Sequence, residues 1–289
     1  MPAASRTENG DSAMKKKVRI IPGFGLSMGV TLSILSLVVL IPLASLVIFT
    51  AKLSLSEIWE VITRKRVLAS FEVSLLTAFV ASLVNAVMGV VLAWVLVRYD
   101  FPLKRLLDGM IELPFALPTA VAGISLTSLY ADTGLVGKIF ARFGISIAYT
   151  RAGIIIALIF IGIPFVVRQV QPVLEKFDPL YEEAAGILGA SRTKIFWKVI
   201  LPELAPAIFT GFGLAFGRCL GEYGSVVFIA GNHPYETEIT PLIIMSELQE
   251  YDYSSATAIA LVMLVTAFLI LFLVNLIQIR NSKILNGGH

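Results

Sequence analysis

Side chains able to do covalent or redox chemistry are scarce in this sequence. Among 289 residues it holds one cysteine, Cys219, and two histidines, His233 and His289. A lone cysteine excludes an intrachain disulfide and a multi-cysteine metal site, and the histidines make no metal-ligand spacing with it. Isolated among apolar neighbours, Cys219 reads as inert packing. Cradling ATP phosphates needs a Gly-x-x-x-x-Gly-Lys-[Ser/Thr] loop, and the nearest string, Gly134-Leu135-Val136-Gly137-Lys138-Ile139, is too short and lacks the hydroxyl. The chain is therefore expected to bind no metal, no cofactor and no ATP of its own. A membrane hydrolase would want a nucleophile with its base, or facing intramembrane carboxylates, and neither is visible.

What remains is suited to passing an anion rather than transforming it. Pro114 and Pro118 each block a helical hydrogen bond, and a helix restarting after Pro118 would aim free N–H groups and its dipole at an anion, with the Thr119 hydroxyl beside it and Gly123 one turn on. The plainer reading of the two prolines is a helix entry at the membrane interface. Gly213, Gly217 and Gly221, spaced by four, form a small-residue ridge that serves close helix packing or a sliding face. Arg218 and Glu222, one turn apart, form an ion pair that offsets its own burial cost, or else Arg218 faces a translocation path. Pro118, Thr119, Gly123, Gly213, Gly217, Arg218, Gly221 and Glu222 together make the candidate path. Asn85 and Asn275 read as interhelical hydrogen-bond partners.

The elements that must position these residues are membrane helices. The chain is 57% apolar and 15% charged with a mean hydropathy of +0.85; a soluble domain carries about 45–50% and about 25%. Folded in water it would expose long uncharged runs, which excludes an ordinary soluble enzyme and a disordered chain. A net charge of +3 is too small to argue for nucleic acid. A span takes about 20 apolar residues because the helix must satisfy its own backbone in lipid. Uncharged runs then predict an all-α integral membrane protein with six spans, at about 24–50, 73–97, 113–131, 149–168, 202–228 and 254–279. They lie in one transmembrane domain, 21–280, flanked by tails at 1–20 and 281–289. The first run, Ile20 to Ala51, is 32 residues long, about twice a secretory h-region, and reads as a retained span.

Orientation follows from the basic residues, 15 of the 23 Lys and Arg falling in the two tails and the second and fourth loops, against 8 in the first, third and fifth. Both termini are thus expected in the cytoplasm. The fifth loop holds six acids between Glu222 and Asp252 and no Lys or Arg. Such a surface would repel a free anion, so delivery by a docked partner is expected.

The fourth loop, about 30 residues from Arg168 to Val199, has structure of its own. Asp178-Pro179 starts a helix, with Glu182 and Glu183 at its positive end. Gly189 stops it, and Ser191 caps a second helix that is expected to end near Pro202. Tyr181, Ala184, Ala185 and Leu188 share one face of the first helix, with small residues at its centre that permit close approach.

Glu183-Ala184-Ala185, Gly189 and Val199-Ile200-Leu201-Pro202 resemble the coupling loop of binding-protein-dependent ABC importer permeases, with Val199 where Ile is usual. That resemblance implies a type I ABC permease fold in which the loop sits in a groove of an ATPase subunit. Leu113 to Gly123, Gly221-Glu222-Tyr223-Gly224, Phe228 to Asn232 and Leu248 to Tyr253 look like the sulfate/thiosulfate permeases. The resemblance spans about Gly23 to Asn281. It implies a multi-pass subunit of the bacterial inner membrane, in contact with membrane lipid and not nucleic acid. It also implies two copies of an ATPase, a sister permease of the CysW type and an extracytoplasmic sulfate/thiosulfate-binding protein. Molybdate, tungstate or phosphate permeases of the same build are the alternatives. An ion-driven secondary transporter would need an inverted repeat and intramembrane carboxylates, which the sequence does not display.

Overall fold

The computed structural model describes residues 24–286, with side chains to Leu276. The N-terminal tail read at 1–20 and the last three residues lie outside the described residues. Two units are distinguished, residues 1–46 and 47–289. The first contains most of helix α1 (Phe24–Thr50), whose Ser36–Leu40 turn is π-helical. Taken alone α1 is apolar all round, the composition of a helix meant for lipid or a partner helix.

The second unit is all helix among the described residues. A short amphipathic helix, α2 (Leu55–Thr63), opens with a capping box in which the Glu57 amide donates to Ser54 Oγ and the Ser54 amide to Glu57 Oε2. Then come α3 (Lys65–Arg98), α4 (Lys104–Ala116), α5 (Thr119–Tyr130) and the single turn α6 (Gly137–Ala141). They are followed by α7 (Arg151–Lys176), α8 (Leu180–Ile187), α9 (Arg192–Leu220), α10 (Val226–Ile229), α11 (Thr240–Gln249) and α12 (Tyr253–Asn286). Among the described residues five helices are long and apolar enough to cross a membrane, and the pair α4–α5 makes a sixth if taken as one bent span.

The core is the three-helix contact of α3, α7 and α9. Val166 of α7 is its keystone: a Cβ on Gly89 of α3 would stand 2.6 Å from the Val166 side chain, and one on Gly211 of α9 2.8 Å from the Val166 backbone. Lipid gives helices no hydrophobic reason to associate, so close backbone approach at small residues supplies the attraction. Around it Ala93, Val167, Val170, Leu204 and Ala215 are buried. Asn85, expected to bond across helices, is instead fully buried with neither amide atom partnered, its side chain packed against Gly162.

The second and fourth spans run past their expected limits, α3 starting at Lys65 and α7 ending at Lys176, and three other expectations change for local reasons. The third span is no straight helix: α4 and α5 meet at 115° around Leu117–Pro118. Pro118 has no N–H to donate to the preceding turn, and Leu117 before it takes an extended conformation, so the helix stops and restarts. The fifth span ends at Leu220 rather than 228, because Gly221 to Ser225 turn away before α10 begins. Pro202 does not end the second coupling-loop helix. A π turn at Phe196–Ile200 precedes it, and the wider i→i+5 turn makes room for the ring, so helix runs unbroken from Arg192 to Leu220.

Long-range ion pairs sort the loops into two ends. Arg98, at the end of α3, pairs with Glu182 of α8. At the opposite end Arg66 grips Glu238 through two bonds of 2.8 and 2.5 Å, Arg64 approaches Glu247 at 3.8 Å, and Arg151 Nε donates to the Glu236 carbonyl at 2.8 Å.

Candidate functional site

Two places in the fold gather the residues singled out above. The first is the segment around α8. Asp178 Oδ1 accepts from the Leu180 amide at 3.0 Å, satisfying one free N–H of the first turn. At the far end the Ala190 amide donates to the Ala185 carbonyl and the Gly189 amide to that of Gly186. Gly189 sits at φ +81°, a left-handed conformation that costs glycine nothing, so the two bonds form a Schellman stop. Ser191 Oγ then accepts from the Lys194 amide at 3.3 Å and starts α9.

The outward surface of α8 is apolar: Ile187 is 87% and Leu188 88% exposed, with Tyr181, Glu183 and Ala184 also in the open and Ala185 half covered. A Cβ on Gly186 or Gly189 would meet nothing. Beneath lies a cavity of about 580 Å³ bounded by Lys176, Asp178, Tyr181, Val199 and Glu203. Leu201 and Pro202, just past the π turn of α9, are half-buried. Two signals escaped the sequence reading. Ile187 belongs to the exposed knob, and Glu182 is turned back to Arg98, itself stacked over Trp94 at 5.1 Å. Helical spacing from Ala184 pointed to the first; nothing local pointed to the second.

The second place is where α9 ends. Arg218 Nη1 lies 2.6 Å from Glu222 Oε2. The other carboxylate oxygen accepts from the Ser225 amide at 2.8 Å and its hydroxyl at 3.0 Å. Glu222 and Ser225 are buried, while a third of Arg218 stays exposed. Ser225 was missed, although a Glu three residues ahead of a Ser that opens a short turn is the usual local cap in reverse.

The bend at Pro118 brings the other candidates here. The Thr119 side chain abuts Gly224, and a Cβ on Gly123 would come within 2.5 Å of the Ser225 carbonyl. Residues 119–123 and 222–225, a hundred positions apart in sequence, are thus in direct contact, while Pro118 itself is exposed at the bend. Gly213 and Gly217 face Leu271 of α12, at 3.9 and 3.3 Å from a would-be Cβ, and line a groove of about 550 Å³ with Thr210, Arg218 and Asn275. Gly221 lies beyond the helix end with open space around it, so it does not continue that ridge. The groove lining is mostly apolar, with Arg218 and Asn275 as its polar edge. An arginine turned to lipid at mid-membrane would cost about 2.5–3.5 kcal/mol on insertion scales, so that edge is expected to face protein or water.

The acids of the fifth loop are not a uniform negative face. Glu222, Glu238 and Glu247 are engaged by Arg218, Arg66 and Arg64, which leaves Glu236 and Glu250 exposed. Arg64 and Arg66 come from the first loop and Arg218 from the last turn of α9, so counting only from Glu222 to Asp252 overstated the negative charge.

Residues 85–283 match the family model of the binding-protein-dependent transport system inner membrane component. The chain belongs to this family. The "Sulfate transport system permease protein CysT" of Escherichia coli (strain K12) is 52% identical over 92% of this chain and 96% of its own length. That of Synechocystis sp. is 47% identical over 86% and 87%. Among solved structures, a bacterial ABC transporter involved in the import of the acidic polysaccharide alginate superposes with a TM-score of 0.74 at 17% identity, covering 89% of this chain and 96% of that one. The MetNI methionine ABC transporter in an inward-facing form gives 0.59 at 17% identity, over 79% and 99%. These likenesses establish the ABC importer permease fold. As an inner membrane component of a transport system, the chain is a multi-pass membrane subunit, and the Arg98–Glu182 tie and the Schellman stop are what this inner membrane component uses to hold α8 at one end of its bundle.

Proposed function

We propose that the chain is the permease subunit of an ATP-driven importer carrying sulfate, with thiosulfate as a close analogue, across the bacterial cytoplasmic membrane by alternating access. The observation that carries this reading is 52% identity, over nearly the whole length, to a protein named a sulfate permease. The rigidly capped α8 with an exposed apolar knob supplies the mechanical half. In this reading α8 faces the cytoplasm, as do both termini, and two ATPase copies grip Glu183 to Gly189 and the turns leading to Val199, Leu201 and Pro202. Closure of the ATPases rocks the bundle about the α3–α7–α9 core. A sister permease of the CysW type completes the path, whose wall on this chain is formed by Pro118, Thr119, Gly123, Gly213, Gly217, Arg218, Gly221 and Glu222. An extracytoplasmic binding protein delivers the anion and sets most of the selectivity.

A secondary transporter would need a carboxylate free to cycle protons or sodium. Glu222, buried at the end of α9, is committed to Arg218 and Ser225 instead. The test is uptake of labelled sulfate into inside-loaded ATP vesicles, repeated without the ATPase and without the binding protein. Uptake should vanish in both omissions; uptake at the full rate without the ATPase would overturn the proposal. Competition by unlabelled molybdate, tungstate and phosphate separates sulfate from the other oxyanions, and sulfate and thiosulfate should compete best.

A further inference from the structure

Resting on that transport reading, we propose that Arg218 is the residue that contacts the oxyanion inside the membrane, and that Glu222 is a built-in rival that keeps the contact weak. Arg218 borders the α9–α12 groove beside Gly217, and Asn275 adds a neutral polar group to its otherwise mostly apolar lining, the Thr210 hydroxyl being already donated to the Pro206 carbonyl at 2.8 Å. A guanidinium has five N–H donors in a planar fork suited to a tetrahedral oxyanion. One nitrogen, Nη1, meets Glu222 Oε2 at 2.6 Å. A third of the side chain is still open.

Glu222 is fixed from its other side. Its Oε1 takes both the amide and the hydroxyl of Ser225, and Ser225 is in turn pressed against Gly123 of α5. The carboxylate therefore cannot swing away when an anion arrives, and the arriving dianion meets a neutralised pair instead of a bare cation. A transport path must release what it binds. A fixed counter-charge lowers the affinity of the stop without removing the donors that orient the oxyanion. Glu222 acts through Arg218 and is a positioning residue; Arg218 touches the substrate.

The experiment uses the assembled importer with its ATPase, binding labelled sulfate in detergent without binding protein and transporting it in vesicles with binding protein. In Glu222→Gln the amide oxygen still accepts from Ser225 while the rival charge is gone. Sulfate should bind about tenfold more tightly or better, the worth of one freed charge-assisted contact, and maximal uptake should fall because release slows. Arg218→Gln with Glu222→Gln leaves no unpaired buried charge. That double variant should assemble and hydrolyse ATP in response to the loaded binding protein, yet lose sulfate binding and most uptake. Arg218→Lys should keep part of both. Wild-type binding and uptake in the double variant, or unchanged affinity in Glu222→Gln, would overturn the proposal. Should the wild-type complex itself carry no sulfate, the transport reading fails instead, which these variants do not touch.

Discussion

Val166 is held between two glycines, and the fit decides which small residues matter. A methyl at Gly211 would press on the Val166 backbone at 2.8 Å, where no rotamer change relieves it, whereas one at Gly213 meets Val274 at 3.7 Å in ordinary contact. Gly211→Ala should therefore destabilise the bundle by about 1–3 kcal/mol while Gly213→Ala is nearly neutral, read as thermal unfolding of the solubilised protein. The sequence offered Gly213, Gly217 and Gly221 as a ridge because their spacing is regular. Gly89 and Gly211 carry no such pattern, since their shared partner lies on a third helix. A second residue-scale test concerns Asp252, which caps α12 by accepting from the Ser255 hydroxyl at 2.6 Å and its amide at 3.0 Å. These two bonds, the hydroxyl first, hold its carboxyl below the ordinary aspartate value. A lowered folded-state value means the cap's contribution is complete above the unfolded value and is lost as pH falls through the folded one. Asp252→Ala should cost about 1 kcal/mol at neutral pH and progressively less under strongly acidic conditions.

The helices of the coupling segment were legible because caps are local: Asp178, Gly189 and Ser191 each act within a few residues, and each makes its expected bond. The run through Pro202 was not, because a π turn is chosen by packing upstream, where Phe196 sits edge-on to Trp94 at 5.6 Å. The direction of the restart after Pro118 was equally hidden; prolines announce a break and leave its angle to tertiary contacts. Gly189 tests this scale. Its surroundings are open, so a larger side chain is penalised by φ +81° alone, and the Schellman stop should be lost. Gly189→Val should insert and assemble normally, hydrolyse ATP, and transport several-fold less per ATP. Unchanged uptake per ATP hydrolysed would remove the stop from the coupling role.

At the scale of the molecule, ion pairs across 84 and 172 residues, Arg98–Glu182 and Arg66–Glu238, tie distant loops into two ends. The alternation of spans predicted which loops share an end. No spacing rule could pair Arg66 with Glu238 or reveal that half the acids of the fifth loop are neutralised from elsewhere. Transport by this bundle requires an outside ATPase to grip α8. Cys219 is buried, so a thiol introduced by Ile187→Cys or Leu188→Cys is the one a bifunctional reagent can reach among the described residues. Crosslinking of either variant in the assembled importer should give a covalent adduct with the ATPase subunit whose yield changes between nucleotide-free and ATP-bound forms. No adduct at either position with the ATPase present, or labelling of these thiols from the extracytoplasmic side, would contradict it.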